Sequence, residues 1–240
     1  MPLALAADGG TQARHGTDEP AEARAALVEG RWLAAADLGE TAGTAGGFAV
    51  AAEALAIYAH YLAPEEERQE LLVRAMGLAE EAVALRPRDP WVRFQLAHAV
   101  GRYAQSLRPI KAQREGYVGR SRELLEDVLA VDADMVLARL QLGSWHADVV
   151  AQAGGFLARL THGARANRAL EHYDRALELA GDDLVVYAEV SRGLLRLNRR
   201  KHGARAEELL GRAVALEPRD AFERILHGES AARLAELQGR

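Results

Sequence analysis

The 240-residue sequence contains no cysteine, which excludes disulfides, thiolate metal sites and a cysteine nucleophile. Aromatic residues make up only 5% of the chain, and β-branched residues are scattered without an alternating run, so strands are not predicted. No apolar run approaches the roughly 18–20 residues that a membrane-spanning helix needs. The net charge of −5 argues against general nucleic-acid binding. The abundant residues, among them alanine, leucine, arginine and glutamate, favour helices throughout.

Catalytic and metal-binding motifs are also missing. The eight histidines do not form His-Glu-x-x-His, and no pair of them has a ligand spacing with a carboxylate beside it. The glycines at 43, 46 and 47 do not form a phosphate-binding loop, and Gly-x-Ser-x-Gly does not occur. We therefore predict no catalytic residue, no metal site, no cofactor and no enzymatic activity.

A recurring helical pattern organises the chain. In residues 206–218, AEELLGRAVALEP, small and large apolar residues share one helix face and a proline ends the segment. Similar strings occur at residues 75–87 and 169–179, and more loosely at 121–131. Repetition of this kind predicts a supersecondary unit that recurs along the chain.

These strings resemble the second helix of the tetratricopeptide repeat (TPR) family, and the small residues Ala97, Gly143, Ser191 and Gly228 match its first helix. The small residues are 46, 48 and 37 positions apart. Because the family period is about 34, two units carry insertions, at residues 105–119 and 153–167. The resemblance covers residues 20–239 and implies an all-α, TPR-like right-handed solenoid of helical hairpins with a C-terminal capping helix. It also implies that helices touch at Gly143.

A second, shorter resemblance concerns the string from Leu142 to Trp145 and the apolar insertion that follows it. This stretch is similar to the repeat domain of the regulator of microtubule dynamics proteins. It adds no site residue to the interpretation.

Prolines, glycines and acidic residues place the helix boundaries. Asp134 is predicted to cap a helix, and residues 41–47 are predicted to be a break. The first insertion is either a solvated helix or loop, or a basic surface for an acidic partner. The second should pack its apolar residues against the core as a short helix. The predicted helices are 20–30, 31–43, 48–62, 64–85, 90–105, 134–153, 168–180, 183–198, 203–217 and 220–238, the last exposing Glu223, Arg224, Arg233 and Glu236.

The chain is expected to form one helical-repeat domain over residues 20–240, after a flexible lead over residues 1–19. Residues 4–6, Ala-Leu-Ala, have the form of an export cleavage site, but the basic and apolar parts of such a signal are missing. Two interpretations stay open: an export-signal remnant of a periplasmic bacterial protein, or an alanine-rich start of a cytoplasmic one. An in-frame basic and apolar segment in the upstream DNA would distinguish them.

The TPR resemblance also implies which residues line the concave face, because the first helix of each pair lines it in that family. The predicted partner-binding residues are Trp91, Phe94, His98, Arg102, Leu137, Leu140, Arg192 and Arg196. An apolar strip with arginines at one edge suits an extended or helical peptide with apolar and acidic groups. The predicted function is therefore a non-catalytic scaffold for a protein or peptide partner.

Two alternatives accompany this prediction. The function could instead be that of a periplasmic protein that binds a small ligand or serves a transporter. The apolar residues of the strip could be plain core covered by the insertions, and the arginines could pair with acids on the neighbouring helix, such as Glu207 or Glu208.

Overall fold

The computed structural model describes residues 18–239, which form helices and no strand. The export-signal interpretation concerns residues that lie outside this range. The helices are α1 (Ala21–Glu29), α2 (Trp32–Ala42), α3 (Ala45–Tyr61), α4 (Glu65–Leu85), α5 (Pro90–Ser106), α6 (Pro109–Arg114), α7 (Tyr117–Val131), α8 (Val136–Ala153), α9 (Gly155–His162), α10 (Ala166–Ala180), α11 (Leu184–Ala215) and α12 (Ala221–Gln238).

The helices pack as consecutive pairs that follow the predicted repeats. Helix α1 packs on α2, α3 on α4, α5 on α7, and α8 on α10. The two long insertions form the short helices α6 and α9 inside the third and fourth pairs. Helix α11 is interrupted at Asn198, whose extended backbone and side-chain acceptor for the amide of Lys201 separate its two halves. The predicted separation of residues 183–198 from 203–217 is therefore confirmed.

The last helix closes the array against the first repeats. Ala221 at the start of α12 is buried in the core that α1 to α5 share. It approaches Gly30 so closely that a Cβ on that glycine would lie 2.8 Å from the Cβ of Ala221. Gly30 also has φ +86°, a left-handed conformation that favours glycine at a helix end. The rings of Tyr61 and Phe222 meet edge to face, with centroids 5.6 Å apart.

This closure corrects the prediction that Glu223 lies on an exposed outer face. Glu223 is completely buried, and its carboxylate accepts hydrogen bonds from the backbone and the side chain of Arg219. Arg219 also pairs with the buried Asp183 at 2.8 Å. The start of α12 is therefore fixed by an ion-pair cluster in which the exposed Arg219 holds two buried acids, whereas the sequence pattern predicted that the whole helix forms a solvated end.

The break at residues 41–47 is shorter than predicted. Helix α3 begins at Ala45, and the hydroxyl of Thr44 caps it by accepting from the amide of Gly47 at 3.0 Å. A Cβ on Gly39 would lie 2.4 Å from the carbonyl oxygen of Gly47, so glycine here allows α2 and α3 to touch. Asp18, which belongs to the predicted lead, accepts a hydrogen bond from the amide of Gly46 at 2.8 Å, and residues 1–17 of that lead lie outside the described range.

The second insertion does not pack as predicted. Within α9 only Ala158 is buried, whereas the side chains of Phe156, Leu157 and Leu160 are 76%, 49% and 71% exposed. The predicted cap is also wrong, because α8 starts at Val136 and Asp134 pairs with Arg175 at 2.8 Å instead.

The predicted close approach at Gly143 is confirmed. A Cβ on Gly143 would lie 2.7 Å from the ring of Tyr173 on α10. Gly193 on α11 approaches the same ring from another helix, and a Cβ there would lie 1.9 Å from the phenol oxygen. Two glycines therefore let three helices converge on one buried tyrosine.

Candidate functional site

The facing sides of α5, α8 and α11 line a cavity of about 530 Å³, here called the central cavity. Residues of α3 and α12 complete its wall, because α12 packs against the first repeats. The predicted partner-binding residues that line it are Phe94, His98, Arg102, Leu137, Leu140, Arg192 and Arg196. Trp91 does not line it and is buried beside Phe94, with ring centroids 5.9 Å apart. Contact of any of these residues with a partner stays a prediction.

Arg102 lies in the central cavity with neutral partners. Its Nε donates to Nε2 of His98 at 3.3 Å, and its Nη1 lies 3.1 Å from Nε2 of His60. Nη1 also donates to the side-chain oxygen of Gln105 at 3.2 Å, and Nη2 donates to the hydroxyl of Tyr61 at 3.4 Å. Among residues 18–239, no carboxylate lies within 4 Å of this guanidinium. Its positive charge is therefore not neutralised by an ion pair there.

The two histidines beside Arg102 are held neutral. Burial, with the charge of Arg102 as the next cause, lowers the pKa of His60 to about 2 and that of His98 to about 3. We assign Nε2 of each ring as the unprotonated acceptor, since the guanidinium can only donate. The ring of His98 also stacks on Phe94, with centroids 6.0 Å apart. The imidazoles therefore orient the guanidinium without cancelling its charge.

Arg192, in contrast, is surrounded by acids. It donates to Glu189 at 3.1 Å and to Glu229 on α12 at 2.6 Å. It also donates to the hydroxyl of Tyr61 at 3.3 Å. The charge of Glu189 is the main reason that the pKa of Arg192 is raised. Burial acts to raise the pKa of Glu189, but the charges of Arg192, Arg102 and Arg196 together with the hydrogen bond from Tyr61 outweigh burial, so that pKa is lowered overall.

Arg196 at the exposed end of the cavity pairs with Asp148 of α8. Asp148 also accepts from the amide of Gln105 at 3.3 Å, which links this pair to the Arg102 cluster. Glu207 and Glu208 were predicted as possible partners for the arginines. Ion pairing of Arg192 and Arg196 is present, but the acids come from α8, α11 and α12, so the named glutamates are wrong.

Several cavity residues escaped the sequence-based prediction. His60 and Tyr61 end α3, which was interpreted only as a covered apolar helix, and closure of the array brings them against α5 and α11. Gln95 also lines the cavity, is 1% exposed, and its side-chain oxygen has no hydrogen-bond partner among the described residues. The TPR register predicts that neighbouring residues of α5 face the concave side, and it does not include Gln95 among them.

Within residues 18–239, no group of three or more histidine, aspartate or glutamate side chains is arranged to hold a metal ion. No helix there combines the length and apolar character that crossing a bilayer requires.

The stacked helix pairs define the chain as an all-α helical-repeat solenoid of the TPR type. The solved structure of TTC0263, a thermophilic TPR protein in Thermus thermophilus, is similar to it. The match covers 87% of this chain and 94% of that one, with a TM-score of 0.59 and 19% identity. At this identity the likeness shows the fold alone.

No protein-family model matches the sequence, and no curated protein matches it either. The helical-repeat scaffold is thus shown by structure. Such scaffolds generally offer an extended concave surface for binding other proteins. The similarity to regulator of microtubule dynamics proteins stays a prediction.

Proposed function

We propose that this chain is a non-catalytic scaffold whose central cavity binds a protein segment carrying an apolar residue next to an acidic group. The observation that carries the proposal is the state of Arg102. Its four acceptors are all neutral, and its hydrogen bonds are 3.1–3.4 Å long. A ligand carboxylate that displaced the side-chain oxygen of Gln105 would give the guanidinium a negatively charged partner, at the N–O distance of about 2.7–2.9 Å that is usual for such pairs.

The rest of the cavity supports an extended polypeptide as the ligand. The unpartnered oxygen of Gln95 is a buried acceptor on the same helix as Arg102, and a peptide N–H would satisfy it. Phe94, Leu137 and Phe222 contribute apolar wall, against which a ligand side chain can be buried. A short peptide supplies all three groups: an acid for Arg102, an amide N–H for Gln95 and an apolar side chain for the cavity wall.

The test is selection of peptides from a random display library on the immobilised protein. Selected peptides should contain aspartate, glutamate or a free C-terminus beside an apolar residue. Their affinity, measured by titration calorimetry, should fall about tenfold to a hundredfold on Arg102→Gln, since a hydrogen bond to a charged group contributes about 1.5–3 kcal/mol. Arg200→Gln, an exposed change beyond the α11 interruption, should leave affinity unchanged.

The melting temperature of each variant serves as the control for folding. Two outcomes would overturn the proposal. One is selection of peptides without acidic groups. The other is equal affinity in the wild type and in a folded Arg102→Gln variant.

A small acidic ligand is the second candidate, and the size of the cavity favours it. The volume of about 530 Å³ falls within the roughly 300–1,000 Å³ of typical small-molecule sites. Titration of a panel of free amino acids and short carboxylic acids would test this candidate. Binding of a free acid that depends on Arg102, in a protein that selects no peptide, would establish it in place of the peptide.

A further inference from the structure

The short helix α9 is amphipathic with its large apolar side chains facing outward, and the short helix α6 exposes one large apolar side chain. Each is held to the protein through one buried alanine, Ala112 in α6 and Ala158 in α9. The opposite faces carry Ile110, which is 75% exposed, and Phe156 and Leu160, which are 76% and 71% exposed. These three are the most exposed large apolar residues among residues 18–239. An apolar helix face that points away from the core is a mark of a contact surface.

Both helices border the central cavity. Ile110 of α6 and His162 of α9 both line that cavity. Arg122 of α7 ties α9 in place by donating to the carbonyl of His162 at 2.7 Å. On α7, Val118 packs against the cluster that contains the buried alanine of α9, and α6 leads directly into the same helix. The surface formed by α6 and α9 is here called the rim patch.

The rim patch is strongly basic in an acidic protein. Residues 105–122 and 153–168 together contain eight arginines or lysines and a single acidic residue, Glu115, whereas the whole chain has a net charge of −5. Three of the eight cations pair with carboxylates outside these ranges, in the pairs Arg120–Glu80, Arg122–Glu126 and Arg168–Glu171. Glu115 lies 3.9 Å from Lys111. Arg108, Arg114 and Arg159 are exposed, and no carboxylate of the described chain lies within 4 Å of them.

We propose that the rim patch docks on a membrane leaflet rich in anionic lipid. Exposed phenylalanine, leucine and isoleucine flanked by arginines are the features of helices that lie in the interface of a bilayer. The local positive charge is complementary to anionic headgroups. A second copy of this chain is a poorer occupant, because a two-fold contact would place the same arginines against each other.

The test uses vesicles of pure phosphatidylcholine and vesicles of equal parts phosphatidylcholine and phosphatidylglycerol, with binding measured by co-sedimentation. The wild type should bind the anionic vesicles, and binding should weaken with added salt. Phe156→Ser with Leu160→Ser should reduce the partition coefficient about tenfold or more. Arg108→Gln with Arg114→Gln should do the same through charge.

Matched controls come from exposed residues outside the rim patch. Val73→Ser with Leu85→Ser removes two apolar side chains that are 51% and 55% exposed on α4, and it should leave partitioning unchanged. Arg199→Gln with Arg200→Gln is the corresponding charge control. Circular dichroism confirms that each variant is folded.

A second readout reports the position of α9 directly. The chain has no cysteine, so Leu157→Cys provides one site for an environment-sensitive fluorophore. Its emission should shift to the blue with anionic vesicles, whereas the same label at Val131→Cys should not shift. Failure of the wild type to bind anionic vesicles, or equal binding by the Phe156 and Leu160 variant, would overturn the proposal.

Two other results would also overturn it. Dimerisation in light scattering that the rim-patch variants abolish would assign the surface to a second copy. Binding of an acidic amphipathic peptide without binding of vesicles would assign it to a protein.

Discussion

Tyr173 is held between two glycines, which predicts how stability responds to a single added methyl group. The side chain is completely buried, and its hydroxyl donates to Ser144 at 3.2 Å. A Cβ on Gly193 would lie 1.9 Å from the phenol oxygen and 2.4 Å from Cζ. Favourable carbon contacts lie at about 3.5–4.0 Å, so Gly193→Ala forces the ring or α11 to move.

We expect Gly193→Ala to lower the free energy of unfolding by about 1–3 kcal/mol, the usual cost of overpacking. This loss exceeds the roughly 0.5–1 kcal/mol that alanine adds over glycine inside a helix. For a chain of this size the melting temperature should fall by about 2–4 °C per kcal/mol. The matched control is Gly211→Ala, where the new methyl group meets nothing within 4 Å. The control should be neutral or slightly stabilising.

A double-mutant cycle separates this overlap from other causes. Tyr173→Leu is itself destabilising, because it removes a buried ring, but it also removes the atoms that Gly193→Ala would strike. Urea unfolding of the wild type, both single variants and the double variant should therefore show a favourable coupling of more than about 1 kcal/mol. A folded Gly193→Ala variant as stable as the control, or a cycle without coupling, would refute the reasoning.

Two further predictions concern the charged groups of the central cavity. Arg192→Gln should lower the free energy of unfolding by about 1–3 kcal/mol in urea, because it leaves Glu189 and Glu229 without their cation; unchanged stability would show that the acids are fully solvated. The pKa values of His60 and His98 are about 2 and 3 in the folded protein, below the unfolded value of about 6.5. The unfolded chain then binds more protons, so stability should fall as pH drops below about 6.5. His98→Gln should reduce that slope between about pH 6.5 and 5, above the range where carboxylates dominate.

The sequence predicted the repeats well because they are local. Small residues at a fixed register specify where helices touch, and Gly143 lies where the register placed it. The inward positions of α5, α8 and α11 follow from the same periodicity, so most of the predicted site residues do line one cavity. The close contact at Gly193 was not predicted, because the register assigned the small contact residue of this helix to Ser191.

The closure of the array could not be predicted from one sequence. It depends on contacts between residues far apart in the chain, such as the hydrogen bond that joins Tyr61 to Arg192 over 131 positions. It also buries Glu223, whose residue type and helical register suggest an exposed side chain. The outward face of α9 was missed for a related reason. An amphipathic pattern shows that a helix has two faces, but only the packing of Ala158 shows which face the protein covers.

The three cavity arginines show a similar limit on predicting function from the sequence. All were predicted from the register to face inward, and all line the cavity. Their states differ because the acids that meet Arg192 and Arg196 come from other helices, whereas the groups that accept hydrogen bonds from Arg102 are neutral. A change at Arg192 therefore perturbs stability, and a change at Arg102 leaves no acid unpaired. If peptide affinity depends on Arg102 while stability depends on Arg192, binding and folding use different members of one residue set. If both variants lose stability and neither alters binding, Arg102 and Arg192 are both structural and the proposed site around Arg102 is wrong.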